Sequence, residues 1–504
     1  MGKFKLIERE YIVTLKSDVD YAQFNQEMIA STGAGDIPNR TVDVANARPG
    51  SKRNTHYALN ALEVIKLRKD SRVDAVELPP EQDDNIIIEP LAIQTGNFNK
   101  TTSDSGNYMN WGMRRCIEQN NPYTFSSPSD DQFAYTLDGT GVDVVIQDTG
   151  IQIGHPEFND ADGNSRIKQI NWYAESGISG SMPSGHYTDW NGHGSHCAGT
   201  VAGLNYGWAK NAHIYSVRVN LSGDTQGFPV SGAFDIIKLW HRNKPITSTG
   251  YRRPTIVNMS WGTGTSFSNI TGGNYRGTNW TGTSKRADYG MIGSGFFSRH
   301  PVRVVSTDAD VQELADEGIH VCIAAGNSSQ KIDETGGVDY NNYYTNTGGT
   351  NVYYHRGGSP FGNNAMMIGN LDSNLHSGGL EQKASSSETG PGITVYAPGT
   401  NIMSAWTNQS GGSTYHANSN YKQNNITGTS MASPQVCGLG ACLLQLEPYH
   451  TAQSLKQKIR NMASQDNIYS SGLDDDYSNS RSILNSANKL LYTPFNSGYP
   501  IKTS

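Results

Sequence analysis

From about residue 140 the chain alternates short, continuous apolar runs with segments of helical spacing. The pattern predicts strands over 142–147, 213–219, 255–260, 320–325, 365–370 and 393–397. Most of these runs lack polar alternation, as expected of a parallel sheet covered on both faces. Helices are predicted over 194–203, 230–241, 308–316 and 431–446, with an amphipathic one over Ala452–Met462. Strands and helices in this order predict an α/β fold around a doubly wound, mostly parallel sheet. The runs 142–147, 255–260 and 320–325 each lead into polar or glycine-bearing residues. Open α/β sheets place their sites there, at the carboxyl ends of strands.

A different pattern precedes this region. Residues 9–80 read as a small α+β module of βαβ type. Tyr11–Leu15 and Val73–Leu78 are strand candidates, and Asp20–Ala30 is a helix with Phe24 and Met28 on one face. Tyr57–Arg68 reads as a second helix bearing Ala58, Leu62 and Ile65. A charged, proline-bearing stretch (Pro79 to Asp84) and a polar one (Gln94 to Tyr108) follow it, separated by apolar Ile86–Ile88. The expected organisation is a module over 1–85, a linker over 86–109, a main domain over 110–490 and a tail over 491–504. Within the main domain, 263–305 and 328–362 show little periodicity and read as surface insertions, long enough to suggest a function or a partner.

Composition narrows the function classes. The chain has 504 residues, 39 Lys+Arg against 46 Asp+Glu, and a formal charge of -7. That balance argues against nucleic acid as the main partner. No apolar run is long enough to span a bilayer. The first ten residues carry acids early and lack a long apolar core, so no secretory leader is expected there. Five cysteines, all but Cys116 inside apolar or small-residue segments, read as buried free thiols rather than disulfides.

The most informative chemistry lies at Gly428-Thr429-Ser430-Met431-Ala432-Ser433-Pro434. A proline is tolerated in a helix near its first turn, which places Ser430 at the start of the apolar helix that follows. Helix starts favour developing negative charge, so Ser430 is a candidate nucleophile. A serine nucleophile needs a base and a group that orients the base. Asp148 closes the apolar run 142–147, and His193 stands among small residues in Asn191-Gly192-His193-Gly194-Ser195-His196. Taken singly, each of these is an ordinary turn or cap residue. Cys197, close to His193, is a weaker nucleophile candidate because it lies inside the histidine's own segment.

Five segments together resemble the subtilisin-like serine proteases: those of Asp148, His193 and Ser430, then Val321–Asn327 and Ile256–Gly262. Their order Asp, His, Ser is that of the subtilisins. Cys197 and Tyr206-Gly207-Trp208-Ala209-Lys210 draw the resemblance toward the proteinase K-type branch. The resemblance implies a serine endopeptidase with Ser430 as nucleophile, His193 as base and Asp148 orienting it. It assigns Asn327 to the oxyanion hole, and Ser260, Trp261, Gly262, Ala325 and Gly326 to two substrate-binding rails. The family more often has leucine where Trp261 stands, which leaves the substrate preference open. His196 is a structural position in the family and receives no catalytic role.

The same resemblance implies protein or peptide substrates and likens the module over 1–85 to an inhibitory propeptide. Ile86–Ile93 would then lie in the cleft as a strand, and Asn110 to Met113 would begin the mature domain. Neither nucleic acid nor membrane is an expected partner. No cofactor is required for this chemistry. Structural calcium is a minor expectation at Asn159–Asn164 or Asp474–Asp476, neither of which offers a complete ligand set. The family commonly works outside cells, so an extracellular or virion-associated setting is expected. The competing reading is a structural or binding component that retains a protease fold.

Overall fold

The strand β1 (Asp143–Asp148) is buried at all six positions. A strand with no exposed face needs apolar cover on both sides, and the chain supplies it with helices. The computed structural model describes residues 7–16, 18–30, 40–47, 53–78, 94–98, 110–119, 121, 131–221, 224–247, 250–292, 299–471 and 477–494. The chain divides into two compact units, Met1–Ala92 and Ile93–Ser504.

In the larger unit β1 is followed by α1 (His193–Ala202), β2 (His213–Arg218), α2 (Val230–Asn243) and β3 (Thr255–Met259). Then come α3 (Val305–Asp316), β4 (His320–Ala324), β5 (Met366–Leu371), β6 (Val395–Pro398) and α4 (Thr429–Leu446). These strands lie in the order β6-β5-β4-β3-β1-β2, all parallel. Two short pieces, Lys489–Leu490 and Ser464–Gln465, extend the β6 edge. The order reverses between β1 and β3, where open sheets leave a crevice for ligands.

Alternate side chains feed two cores. Val144 and Ile146 of β1, with Ile256 of β3, pack against Val201 of α1 and Val436 and Leu439 of α4. Val145 and Val257 point the other way, onto Phe234 and Ile237 of α2 and Val311 and Leu314 of α3. The sheet is thus doubly wound, as the runs predict. All five cysteines are buried free thiols. The helix Ala452–Met462 forms where the amphipathic pattern puts it.

Three expectations change. The two insertions are not irregular: Ile270–Tyr275 and Thr278–Thr281 of the first pair with Tyr343–Asn346 and Asn351–Tyr353 of the second in one antiparallel sheet. Phe267, Ile270, Trp280, Met291, Tyr344 and Tyr354 form its own core. Each insertion lacks periodicity because each supplies only half of that core. Gln94–Phe98, read as linker, is a strand paired with Asp131–Tyr135. The Ile86–Ile93 and Asp474–Asp476 segments lie outside the described residues.

The smaller unit is a four-stranded antiparallel sheet, ordered Val44–Asn46, Asn54–Asn60, Glu8–Leu15, Val73–Glu77, with helices Tyr21–Ile29 and Ala61–Leu67. The helix read over 57–68 is therefore half strand. Asn60 divides it: its side chain accepts from Leu62 N and Glu63 N at 3.0 and 3.2 Å, while Glu63 accepts from Asn60 N at 2.9 Å. This capping box starts the helix at Ala61. Val64 and Leu67 face the core, whereas Leu62 and Ile65 are exposed.

Asp339 joins the two insertions. Its fully buried carboxylate accepts from Arg276 of the first at 2.7 and 2.9 Å. Within the second it accepts from Lys331 at 2.6 Å and Asn342 at 2.8 Å. Burial opposes its charge, but Arg276 and Lys331 hold its pKa well below the usual carboxylate range. Removing one partner from a buried ion cluster strands the others in low dielectric. Asp339→Ala is expected to lower stability by about 3–5 kcal/mol, read as a drop in the urea midpoint. An unchanged midpoint would show that the cluster does not hold the insertions together.

Candidate active site

β1 ends on Asp148, which is fully buried. Its Oδ1 accepts from Thr149 N at 2.7 Å and lies 2.8 Å from His193 Nδ1. His193 is the first residue of α1, entered through Gly192 at φ 101°. That left-handed turn suits glycine, and glycine offers no side chain to cap the helix.

Asp189 supplies the cap instead. Its buried carboxylate accepts from Asn191 N at 3.0 Å, Gly192 N at 2.8 Å and Ser195 N at 2.9 Å. Thr149 Oγ1 donates to it at 3.0 Å and accepts from Gly194 N at 2.9 Å. The end of β1 and the start of α1 are thereby tied together, which fixes the distance between Asp148 and His193. A Cβ on Gly194 would come within 2.1 Å of Gly150 O. Sequence reasoning missed Asp189, although an acid ahead of a helix start is a recognisable signal.

Helix α4 begins at Thr429, so Pro434 falls in its second turn, deeper than the first-turn rule placed it. Proline has no N–H, so Ser430 O loses its helical donor. Ser260 Oγ donates to that carbonyl at 3.0 Å and Cys197 Sγ at 3.4 Å. Ser260 sits just past β3 and Cys197 one turn along α1 from His193. The neighbouring segments thus satisfy what the proline left open. Ser430 Oγ donates to Ser260 O at 3.1 Å and, among the described residues, makes no hydrogen bond to His193. Catalytic hydrogen bonds are often unmade before substrate arrives.

Asn327 follows β4. Its Oδ1 accepts from Thr429 N at 2.9 Å and Thr429 Oγ1 at 3.0 Å, which leaves the amide nitrogen free to donate. Thr429 Oγ1 also accepts from Gly326 N at 3.1 Å. Ser260–Gly262 and Ala325–Gly326 line opposite sides of a cleft of about 380 Å³ that Ser430 and Asn327 also border. Trp261 is half-buried, its ring 6.4 Å from that of Phe234. Every site residue read from the sequence therefore lies along this one crevice or on the dyad beside it.

Burial works against a charged His193, but the Asp148 carboxylate outweighs it and raises the pKa well above the ordinary imidazole value. His196 behaves oppositely: burial lowers it to about 3, and its Nε2 donates to Ile402 O at 2.9 Å. It stays neutral and structural. At Asn159–Asn164, one Asp160 oxygen already accepts from Asp162 N at 3.0 Å and Asn164 N at 2.8 Å. Those bonds close the loop on itself as a capped turn.

A doubly wound domain that gathers a carboxylate, an imidazole and a helix-start hydroxyl at its switch point has the architecture of a serine hydrolase. The subtilase family signature matches residues 139–482. The chain belongs to that family and is a serine-type endopeptidase of the subtilisin kind. It is 25% identical over 434 residues to an extracellular serine proteinase of Thermus sp. (strain Rt41A), covering 86% of this chain and 73% of that protein. It is 30% identical over 347 residues to the subtilisin-like serine protease Cla h 9.0101 of Davidiella tassiana, covering 67% and 49%. A solved cold adapted subtilisin-like serine proteinase is 24% identical, with a TM-score of 0.47 over 77% of this chain and 98% of that one.

The dyad electrostatics give a direct expectation. In Asp148→Asn the His193 ring should titrate at lower pH than in the unaltered chain, followed by NMR of the imidazole. Equal midpoints would show that Asp148 is not what raises His193.

Proposed function

We propose that Ser430, His193 and Asp148 form the catalytic triad of this peptidase and that Asn327 is one donor of its oxyanion hole. The observation that carries this reading is the 2.8 Å Asp148–His193 hydrogen bond at the switch point beside the Ser430 helix. Ser430 Oγ turns from Ser260 O toward His193 and attacks the scissile carbonyl. His193 takes the hydroxyl proton and delivers it to the leaving amine. Asp148 holds the imidazole tautomer and stabilises its charged form. The carbonyl oxygen, now negative, accepts from Asn327 Nδ2 and the backbone N–H of Ser430. Water, giving a proton to His193, then attacks the acyl-enzyme ester, and the imidazole returns that proton to Ser430 Oγ as the new carboxyl end leaves.

The substrate is a polypeptide lying as an added strand between the two rails. The side chain before the scissile bond enters the cleft between Ser260–Gly262 and Ala325–Gly326. We further propose that the unit over 1–85 keeps the enzyme latent until the linker is cut between Asn85 and Thr95. Its position ahead of the catalytic unit and the apolar Ile86–Ile88 run support that reading. Action outside the cell fits the extracellular relative. Among the described residues no helix is long and apolar enough to cross a membrane.

A fluorophosphonate probe should label the chain and fail to label Ser430→Ala. Equal labelling of both would end the assignment of Ser430. Asn327→Ala is expected to lower kcat about 10²–10³-fold, the scale of one oxyanion donor. Activity requires neutral His193, whose pKa is raised. The rate should therefore fall as pH drops through a midpoint above the ~6.5 of a free imidazole. A rate still flat below that value would contradict His193 as base. Mass spectrometry of the purified chain should find a new N-terminus between Asn85 and Thr95, absent in Ser430→Ala. An intact N-terminus in an active preparation would remove the latency reading.

A further inference from the structure

The cleft beside Ser430 is bounded by more than the two rails. Its outer wall comes from the insertions: Gly264–Ser266 pairs with Arg299–Pro301 as a short antiparallel ribbon, and Gly264, Arg299, His300 and Pro301 line the cleft. The His300 side chain turns into the insertion core, among Phe267 and Tyr344. His300 is 1% exposed, and neither ring nitrogen has a partner. It stacks on Phe267 at 4.2 Å, which fixes the ring. Burial lowers its pKa to about 3, so it is neutral and carries one N–H. Trp261, on the facing rail, has a buried indole N–H with no acceptor. Neither set of nitrogens presents surface to the cleft, so the polar group this wall offers a ligand is Arg299.

Charge selects among such ligands. Arg299 is exposed on the cleft wall and makes no ion pair among the described residues. The one carboxyl lining the cleft, Glu388, lies fully buried behind Gly326. Burial pushes it up to about 8, against the Ser328 and Gln330 backbone N–H groups that favour its charge. At neutral pH it is largely uncharged and does not cancel Arg299. A guanidinium pairs most strongly with a carboxylate. A cationic side chain would meet like charge, and an aliphatic one would leave Arg299 without a counter-charge.

We propose that this cleft selects an acidic residue, glutamate or aspartate, on the N-terminal side of the scissile bond, with Arg299 as the specificity-determining residue. This rests on the peptidase reading above. The test uses the purified protein and four peptides identical except for Glu, Gln, Phe or Lys before the scissile bond, alongside the fluorophosphonate probe. Glu is expected to exceed each of the others in kcat/KM by at least tenfold. Arg299 is exposed, so its replacement leaves the core intact. In Arg299→Glu the Glu-to-Lys ratio of kcat/KM should fall at least a hundredfold. Equal rates on the four peptides, a preference for Phe or Lys, or an unchanged ratio in the variant would overturn the proposal. In those outcomes the probe still labels Ser430 and the peptidase reading stands. A chain that neither cuts any peptide nor takes the probe fails at the peptidase reading, and this one falls with it.

Discussion

The backbone carbonyl of Ser430 is the point on which the site is assembled. Pro434 denies it the helical N–H it would otherwise accept, and a buried carbonyl without a donor is costly. Ser260 Oγ and Cys197 Sγ answer it from two other elements. One missing hydrogen atom thus couples the Ser430 helix to the end of β3 and to α1. Asn258 extends the joint, since its side chain donates to Ser260 Oγ at 2.9 Å and accepts from Ser433 Oγ at 2.9 Å. Ser430, the segment after β3 and the His193 helix are held in register by these bonds. This is the kind of supporting layer that keeps reactive geometry within small tolerances.

A second anchor works in the same way on the other side. The Asp189 carboxylate replaces the cap that Gly192 cannot provide, and Thr149 links it to the strand bearing Asp148. Both anchors are local answers to a backbone defect: a proline in one helix, a left-handed glycine before the other. In each case the residue that makes the defect lies within a few positions of a proposed catalytic side chain. The defects free backbone groups that then bond across elements, where regular helix would have kept those bonds to itself.

The parallel sheet and the helices around it were legible because their residues are buried on both faces. Runs such as Val144–Ile146 and Val257–Met259 have no other stable setting. The site residues were legible because a strand end, a glycine-flanked histidine and a serine at a helix start each leave a local signature. What stayed hidden depends on pairing between distant segments. Tyr57 to Leu59 show helical spacing, yet they belong to a strand because Asn60 and Glu63 close a capping box behind them. Ile270 and Trp280 look like isolated apolar residues in a polar loop until Tyr344 and Tyr354 arrive from the second insertion. Asp189 is one acid in a polar stretch, and its worth appears only when five donors converge on it.

The insertion sheet has a consequence for the order of events during synthesis. Its central strand, Ile270–Tyr275, emerges well before its partner Tyr343–Asn346, and β4 with Asn327 is made between them. The ribbon that walls the cleft, Gly264–Ser266 with Arg299–Pro301, likewise waits for residues beyond its own turn. Helix α4 comes later still. A nascent chain therefore carries Asp148 and His193 for a long part of its elongation without Ser430. On the proposed reading, the last catalytic group is added only after every segment that walls the cleft ahead of it has been made.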